Sequence, residues 1–398
     1  MSARRYQDRA RPPNLRSEDY VSGQVYRDDG VFRDELDTVL GKVWHFACHL
    51  SEVPEPGDYR TFLHALQPLF VIRGEDEKVR CFFNSCPQCG ARLLGDGAGT
   101  AARLRCVRHL GQFDWSGRVE ASAHSGDNAE SDVLSAAPRL REIHAETKNG
   151  LVFVNLDDAA QPLDAFLGQG LEIFDEVFGD DGVEYEVFHF HRATVKANWK
   201  AWQETIVDLY HEFMHVVLRT TQMTAAPMSA RDLRVYPNGH LAIGGLKADY
   251  DNYKGYSARD ESAAFPGLTV DDARFTPLFP DTTIITRGTV MRIDTVTPLD
   301  PHRTIVESRG LGIKGEPEPD RLMRMRHHND YWGPFGRNVP EDAFAAEACE
   351  KSFGKGAGRY QIIARDEGGR GQDDLMLRAY YKAWSEMTGR LAHSPGNS

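Results

Sequence analysis

An aspartate and two histidines, Asp208, His211 and His215, stand at spacings of three and four within residues 198–219, NWKAWQETIVDLYHEFMHVVLR. On an α-helix turning about 100° per residue, the three fall within roughly 60° of one another. Trp199, Trp202, Ile206, Leu209, Phe213 and Val217 take the opposite arc. The pattern predicts a helix with one face packed into a core and the other, bearing imidazoles, turned toward a metal. His211 to His215 also spell H-E-x-x-H, in which two histidines hold zinc and Glu212 acts as general base of a hydrolase. That chemistry needs a third ligand at a set place. Leu218 stands where a metzincin has glycine, and a turn, Arg234 to Gly239, replaces the glutamate-bearing helix of the other zinc proteases. The hydrolase is the weaker reading.

A second set of ligands lies upstream. Cys86 and Cys89 in Cys86-Pro87-Gln88-Cys89-Gly90, with Cys106 and His109 in Cys106-Val107-Arg108-His109, form two knuckles with the spacing C-x2-C…C-x2-H. Four such ligands on two loops fit a tetrahedral zinc or single iron, and equally an iron–sulfur cluster with one imidazole. An empty site is the remaining alternative. Cys48, Cys81 and Cys349 read as core thiols.

The elements that must position these groups follow from length and patterning. With 398 residues the chain can hold two domains, each with its own core. A net charge of −12 argues against nucleic acid as partner, because phosphate binding needs the opposite sign. No apolar run approaches the 18 or so residues of a membrane helix, and the N-terminal residues do not form a signal peptide, so the cytoplasm is the expected compartment. Residues 1–20 look like a loosely held arm. Val31 to Leu50 carries a helical pattern (Phe32, Leu36, Val39, Leu40, Val43, Trp44). Strand-like runs follow at Tyr59–Leu63, Leu69–Arg73, Val79–Asn84 and 150–156. After a linker at 157–162, residues 163–178 look helical. Strands are expected at Thr282–Thr286 and Val290–Thr297, with helices near Glu318–Asp330, after Pro340, and over Asp374–Gly389. This mixture predicts an α+β fold. Its expected parts are an arm and helix over 1–44 packing on the second domain, an all-β domain over 45–160, and an α+β domain over 165–398.

These motifs together resemble the aromatic-ring-hydroxylating oxygenases, the Rieske non-haem iron family, from Val21 to Gly389. The N-W-K…D-x-x-H segment, the G-A-R-L after the first knuckle, the H-x-G-x-F-D-x-x-G-R from His109 to Arg118, and Trp332-Gly333-Pro334 before Asp342 carry the likeness. Two imidazoles and one carboxylate can hold Fe(II) while leaving positions open to O2. The resemblance supplies the carboxylate, Asp342, beside His211 and His215. It also implies a Rieske-like β domain joined to a helix-grip catalytic domain, in a trimer, possibly with a small β subunit. Electrons come from a separate reductase or ferredoxin, and pass from His109 through the bridging Asp208 to His211 of a neighbouring subunit. The expected reaction is hydroxylation or dihydroxylation of an aromatic or similar apolar small molecule. The chain departs from the pattern at one point. Gln88 occupies the place of the first cluster histidine, so Cys86, Cys89, Cys106 and His109 are expected to hold a [2Fe–2S] cluster of altered ligation, or else zinc. With zinc there, the chain is a companion subunit in a mixed oligomer.

Overall fold

Alternating runs from the first half of the chain pair into one antiparallel sheet in the order His45–His49, Leu151–Asn155, Glu142–Lys148, Val79–Phe83, Gln67–Arg73, Asp58–His64, Ala98–Thr100. The computed structural model describes residues 12–108, 110–121, 139–178, 182–208, 211, 214–215, 231–247, 261–366 and 373–395. A small three-stranded sheet (Leu104–Arg105, Gln112–Phe113, Val119–Ala121) carries the second cysteine loop. A second seven-stranded antiparallel sheet runs in the order Tyr185–Val195, Arg303–Ile313, Val290–Asp300, Thr282–Arg287, Asp272–Leu278, Leu241–Lys247, Asp232–Val235. Helices cover one face of this sheet, so the fold is α+β.

The two faces of the second sheet have different neighbours, and strand periodicity sorts them. Val290 and Val296 pack with Trp199, Trp202, Tyr380 and Trp384 of the helices Trp199–Val207 and Leu375–Thr388. Met291 and Ile293, one residue out of phase, pack instead with Phe46 and Phe153 of the first sheet and with Phe166 and Phe174. The junction between the sheets is also polar. Buried Arg309 donates to Glu52 Oε2 at 2.8 Å and to the Ala47 carbonyl at 3.1 Å. Arg60 pairs with Glu52 at 2.8 Å.

Four sequence expectations need correction. The pattern from Val31 to Leu50 is helical only over Asp29–Asp37, and His45–His49 is a strand. All five of those residues are buried, so the strand lacks the polar alternation that would have revealed it. Residues 163–178 form two short helices, Leu163–Leu167 and Glu172–Phe178, separated at Gly168 with φ of 50°. The helix starting at Trp199 ends at Val207, and Asp208 is extended (φ −86°, ψ 98°). The helical spacing argument therefore does not position Asp208, His211 and His215; of the apolar arc, Leu209, Phe213 and Val217 lie outside the described residues. Finally, Cys349 is exposed, while Cys48 and Cys81 are buried.

Candidate functional site

The helix Trp199–Val207 is anchored before it delivers anything. The Asn198 side chain accepts from the Lys200 amide at 3.1 Å, capping the N-terminus. Glu35 accepts from the indoles of Trp199 at 2.9 Å and Trp384 at 2.8 Å, and pairs with Lys200 Nζ at 2.7 Å, all without solvent exposure. This buried ion pair ties the helices Asp29–Asp37, Trp199–Val207 and Leu375–Thr388 together. Breaking such a pair by removing one partner costs about 3–5 kcal/mol.

Past the end of this helix, His211 Nδ1 donates to the backbone carbonyl of Asp208. That bond turns His211 Nε2 toward Asp342 Oδ1, 3.5 Å away. His215 Nδ1 donates to Glu341 Oε2 at 2.8 Å, which leaves its Nε2 3.1 Å from the same Asp342 oxygen. Asn338 Nδ2 lies 3.2 Å from both ring nitrogens of His215. Asp342, Glu341 and Asn338 all come from the first turns of the helix Asn338–Phe353, where Pro340 needs no amide donor. Asp342 is 2% exposed, and its Oδ1 has no well-aligned hydrogen bond. Two imidazoles with their Nδ1 atoms engaged, aimed at one orphaned buried carboxylate oxygen, fit a divalent cation. Burial alone would raise the Asp342 carboxyl, but His211 and His215 outweigh it and hold it at about 2. Burial likewise opposes the His211 charge, yet Asp342 raises that imidazole to about 9.

The two cysteine loops share one local design. Cys86 N donates to the Ala91 carbonyl and Gly90 N to the Cys86 carbonyl, each at 2.8 Å. Cys106 N donates to Gly111 and Leu110 N to Cys106, each at 2.9 Å. Gly90 and Leu110 both take left-handed backbone, with φ of 71° and 59°. The Sγ atoms of Cys86, Cys89 and Cys106 all lie within 4.8 Å of one another, with Cys89 and Cys106 3.6 Å apart. Gln88 is exposed, outside this trio. His109 lies outside the described residues, as does Glu212 of the H-E-x-x-H reading. Burial pushes the Cys86 thiol up to about 11, a proton that a bound metal displaces. Three thiols gathered this way suit a soft metal centre.

Some neighbours of these sites escaped the sequence reading. Glu341 and Asn338 support His215 from far along the chain, and only their adjacency to Asp342 marks them. Between the sheets, His45 Nδ1 lies 2.8 Å from Asp281 Oδ2, and His64 stacks on His45 with ring centres 4.2 Å apart. No local spacing connects these three residues.

Comparison with known proteins accords with this geometry. Residues 43–131 match the family described as Rieske [2Fe-2S] domain, and residues 182–389 the family described as ring hydroxylating alpha subunit (catalytic domain). The chain is 41% identical over 384 residues to the 2-aminobenzenesulfonate 2,3-dioxygenase alpha subunit of an Alcaligenes species, covering 96% of this chain and 97% of that one. It is 32% identical over 406 residues to the methanesulfonate monooxygenase hydroxylase alpha subunit of Methylosulfonomonas methylovora, covering 99% and 97%. A solved naphthalene 1,2-dioxygenase with phenanthrene bound superposes with a TM-score of 0.78 at 22% identity, over 94% of this chain and 93% of that one.

Proposed function

Because the chain belongs to the Rieske non-haem iron oxygenases, as a ring-hydroxylating alpha subunit, we propose that His211, His215 and Asp342 hold its Fe(II) and that Cys86, Cys89, Cys106 and His109 hold its cluster. The protein is a terminal oxygenase component, an oxidoreductase. The observation that carries the site assignment is the convergence of two Nε2 atoms on the orphaned Oδ1 of Asp342. When bound, the iron supplies O2 activation and the cluster supplies electrons received from a separate reductase or ferredoxin.

The chain's own residues do the rest. Asp208 orients His211 through its backbone carbonyl, and its carboxylate is assigned the link from His211 to the cluster histidine of a neighbouring subunit in a trimer. Glu341 fixes the tautomer and ring plane of His215. Cys89 takes the place of the missing imidazole, since its Sγ lies with those of Cys86 and Cys106 while the Gln88 side chain is exposed. Residues 45–160 form the unit that accepts electrons, residues 165–398 the unit that uses them, and 1–44 is assigned to the second, on which its described residues Val21, Val25 and Tyr26 pack. The matched segments 43–131 and 182–389 support that division.

For substrate, the two relatives above are named for an aminobenzenesulfonate and for methanesulfonate. An organosulfonate, aromatic or small, is therefore the class to test first. The experiment is oxygen uptake by the purified chain with a compatible reductase, with products followed by mass. Hydroxylated product that depends on both reductase and iron supports the reading. A chain that takes up no oxygen with any acceptor, while an added homologue restores turnover, points to the companion-subunit role.

A further inference from the structure

The helix-covered face of the second sheet changes character near the proposed iron ligands. Cross-strand partners share a face, and here the partners of Asp294 are Ser308 and Thr283, while those of Arg292 are Gly310 and Ile285. Beyond these, Gly310 pairs with His189 and Ser308 with His191. Val290 and Val296, on the same face, are core residues against the helices. Between them the face turns polar, with Arg292, Asp294, Ser308 and Thr283 still buried.

Arg292 is the anomaly in this patch. Three arginines, Arg292, Arg309 and Arg324, have no solvent exposure. Arg309 and Arg324 are each held by several hydrogen bonds, Arg324 to Glu316 at 2.6 Å and to the Thr289 carbonyl at 2.5 Å. Arg292 makes none: Nε, Nη1 and Nη2 all lack a hydrogen-bond partner among the described residues. Its Nη2 lies 2.8 Å from Asp294 Oδ2, out of line for a hydrogen bond, while Ser308 Oγ donates to the other carboxylate oxygen, Oδ1, at 2.6 Å. The Trp332 ring stands 5.1 Å from the guanidinium centre and offers it no acceptor. Beside it lies a second unsatisfied group. The His328 ring sits over Gly310, where a built Cβ would meet it at 2.8 Å, and neither of its nitrogens is hydrogen-bonded among the described residues. Burial holds His328 neutral, so it keeps one N–H to donate. This patch also borders the triad: the Trp332 ring beside Arg292 ends the helix Glu318–Trp332, shortly before the helix Asn338–Phe353 that carries Asp342, and the Asp342 charge acts on Asp294.

A permanently charged, fully buried guanidinium whose donors find no aligned acceptor among the described residues is costly unless a ligand meets them. Its planar fork matches two oxygens of an oxyanion, and His328 can reach a third. We propose that Arg292, assisted by His328, anchors an oxyanion substituent, sulfonate or carboxylate, on the small molecule that the neighbouring metal site oxidises. This rests on the oxygenase reading above and names the residue that recognises its substrate class. Arg292 is then a specificity-determining residue that fixes which end of the substrate faces the metal.

The test is calorimetric binding to the iron-loaded protein without turnover, using benzenesulfonate, benzoate and uncharged toluene as probes. Wild type should bind at least one of the two anions, and the tighter one identifies the substituent. Arg292→Met should weaken that anion by roughly 30-fold or more, the worth of charge-assisted hydrogen bonds, and leave toluene binding unchanged. Arg292→Lys, which keeps the charge without the fork, should fall between the two. Iron content and thermal unfolding report folding for each variant. Should Arg292→Met fail to fold, Arg292→Lys decides: anion binding equal to wild type overturns the proposal. Equal anion binding by Arg292→Met overturns it too. Wild type that binds toluene and neither anion also overturns it, while iron loading and reductase-driven oxygen uptake stay intact and the oxygenase reading survives. A protein that neither loads iron nor takes up oxygen overturns that reading instead.

Discussion

Cys86, Cys89 and Cys106 sit on two tight loops close in sequence, with Cys89 only partly buried and with Val107 75% and Leu110 45% exposed beside them. His211 and His215 meet Asp342 from a distant segment of the chain, Asp342 being 2% exposed. The first region presents its ligands on backbone turns. The second holds each ligand through a further group: the Asp208 carbonyl for His211, Glu341 for His215, and the start of a helix for Asp342. Electrons must enter from another protein, so an electron-accepting centre belongs near an open apolar rim. Oxygen chemistry needs water excluded and ligands fixed, so that centre belongs inside.

Substitutions can break this contrast or sharpen it. The largest effect is expected from His215→Ala. It should abolish both iron at the triad and turnover while leaving the visible absorbance of the cluster unchanged. Loss of both together, measured by metal analysis and spectrum, would mean that the two regions do not fold independently. Asp208→Ala comes next. Because His211 leans on the Asp208 backbone carbonyl, alanine keeps that bond, so iron should stay. Turnover should fall about a hundredfold or more as the link to the cluster is cut. Iron loss in this variant would show that the carboxylate serves the metal and not the electron path. Glu341→Gln should weaken iron binding by about tenfold, in a competition titration with a chelator, since a neutral amide supports His215 less well than a carboxylate.

The smallest effect lies in the scaffold. Glu204 accepts from Tyr26 at 2.6 Å and from Tyr381, and burial raises its carboxyl to about 7 despite both hydroxyls. A carboxyl raised in the folded state binds its proton more tightly there than in the unfolded chain. Stability from this group is therefore full below pH 4.5 and declines as pH rises to about 7, by on the order of 3 kcal/mol. Glu204→Gln should flatten that part of the melting-temperature profile; an unchanged slope would assign it to other groups.

Sequence and structure agree best where chemistry is local. The cysteine spacing placed three thiols together because a knuckle needs only its own turn. The strands Gln67–Arg73 and Thr282–Arg287 were visible because β-branched and aromatic residues are bounded there by turn residues. Asp342 was different. It is one acid among several at a helix start, and only family likeness singled it out. Arg292, Glu341 and the His45–Asp281 pair were not legible, because their meaning lies in partners far along the chain. The strand His45–His49 was hidden by its own burial, which erased the alternation that marks a strand.

The central claim is that both regions hold metal of different kinds, with Cys89 completing an iron–sulfur cluster. Iron, zinc and acid-labile sulfide counted on anaerobically purified protein test it most directly. The account predicts about three irons and two sulfides per chain, with no zinc. One iron, one zinc and no sulfide would contradict it, making the cysteine loops a structural zinc module and leaving the buried iron dependent on another electron donor.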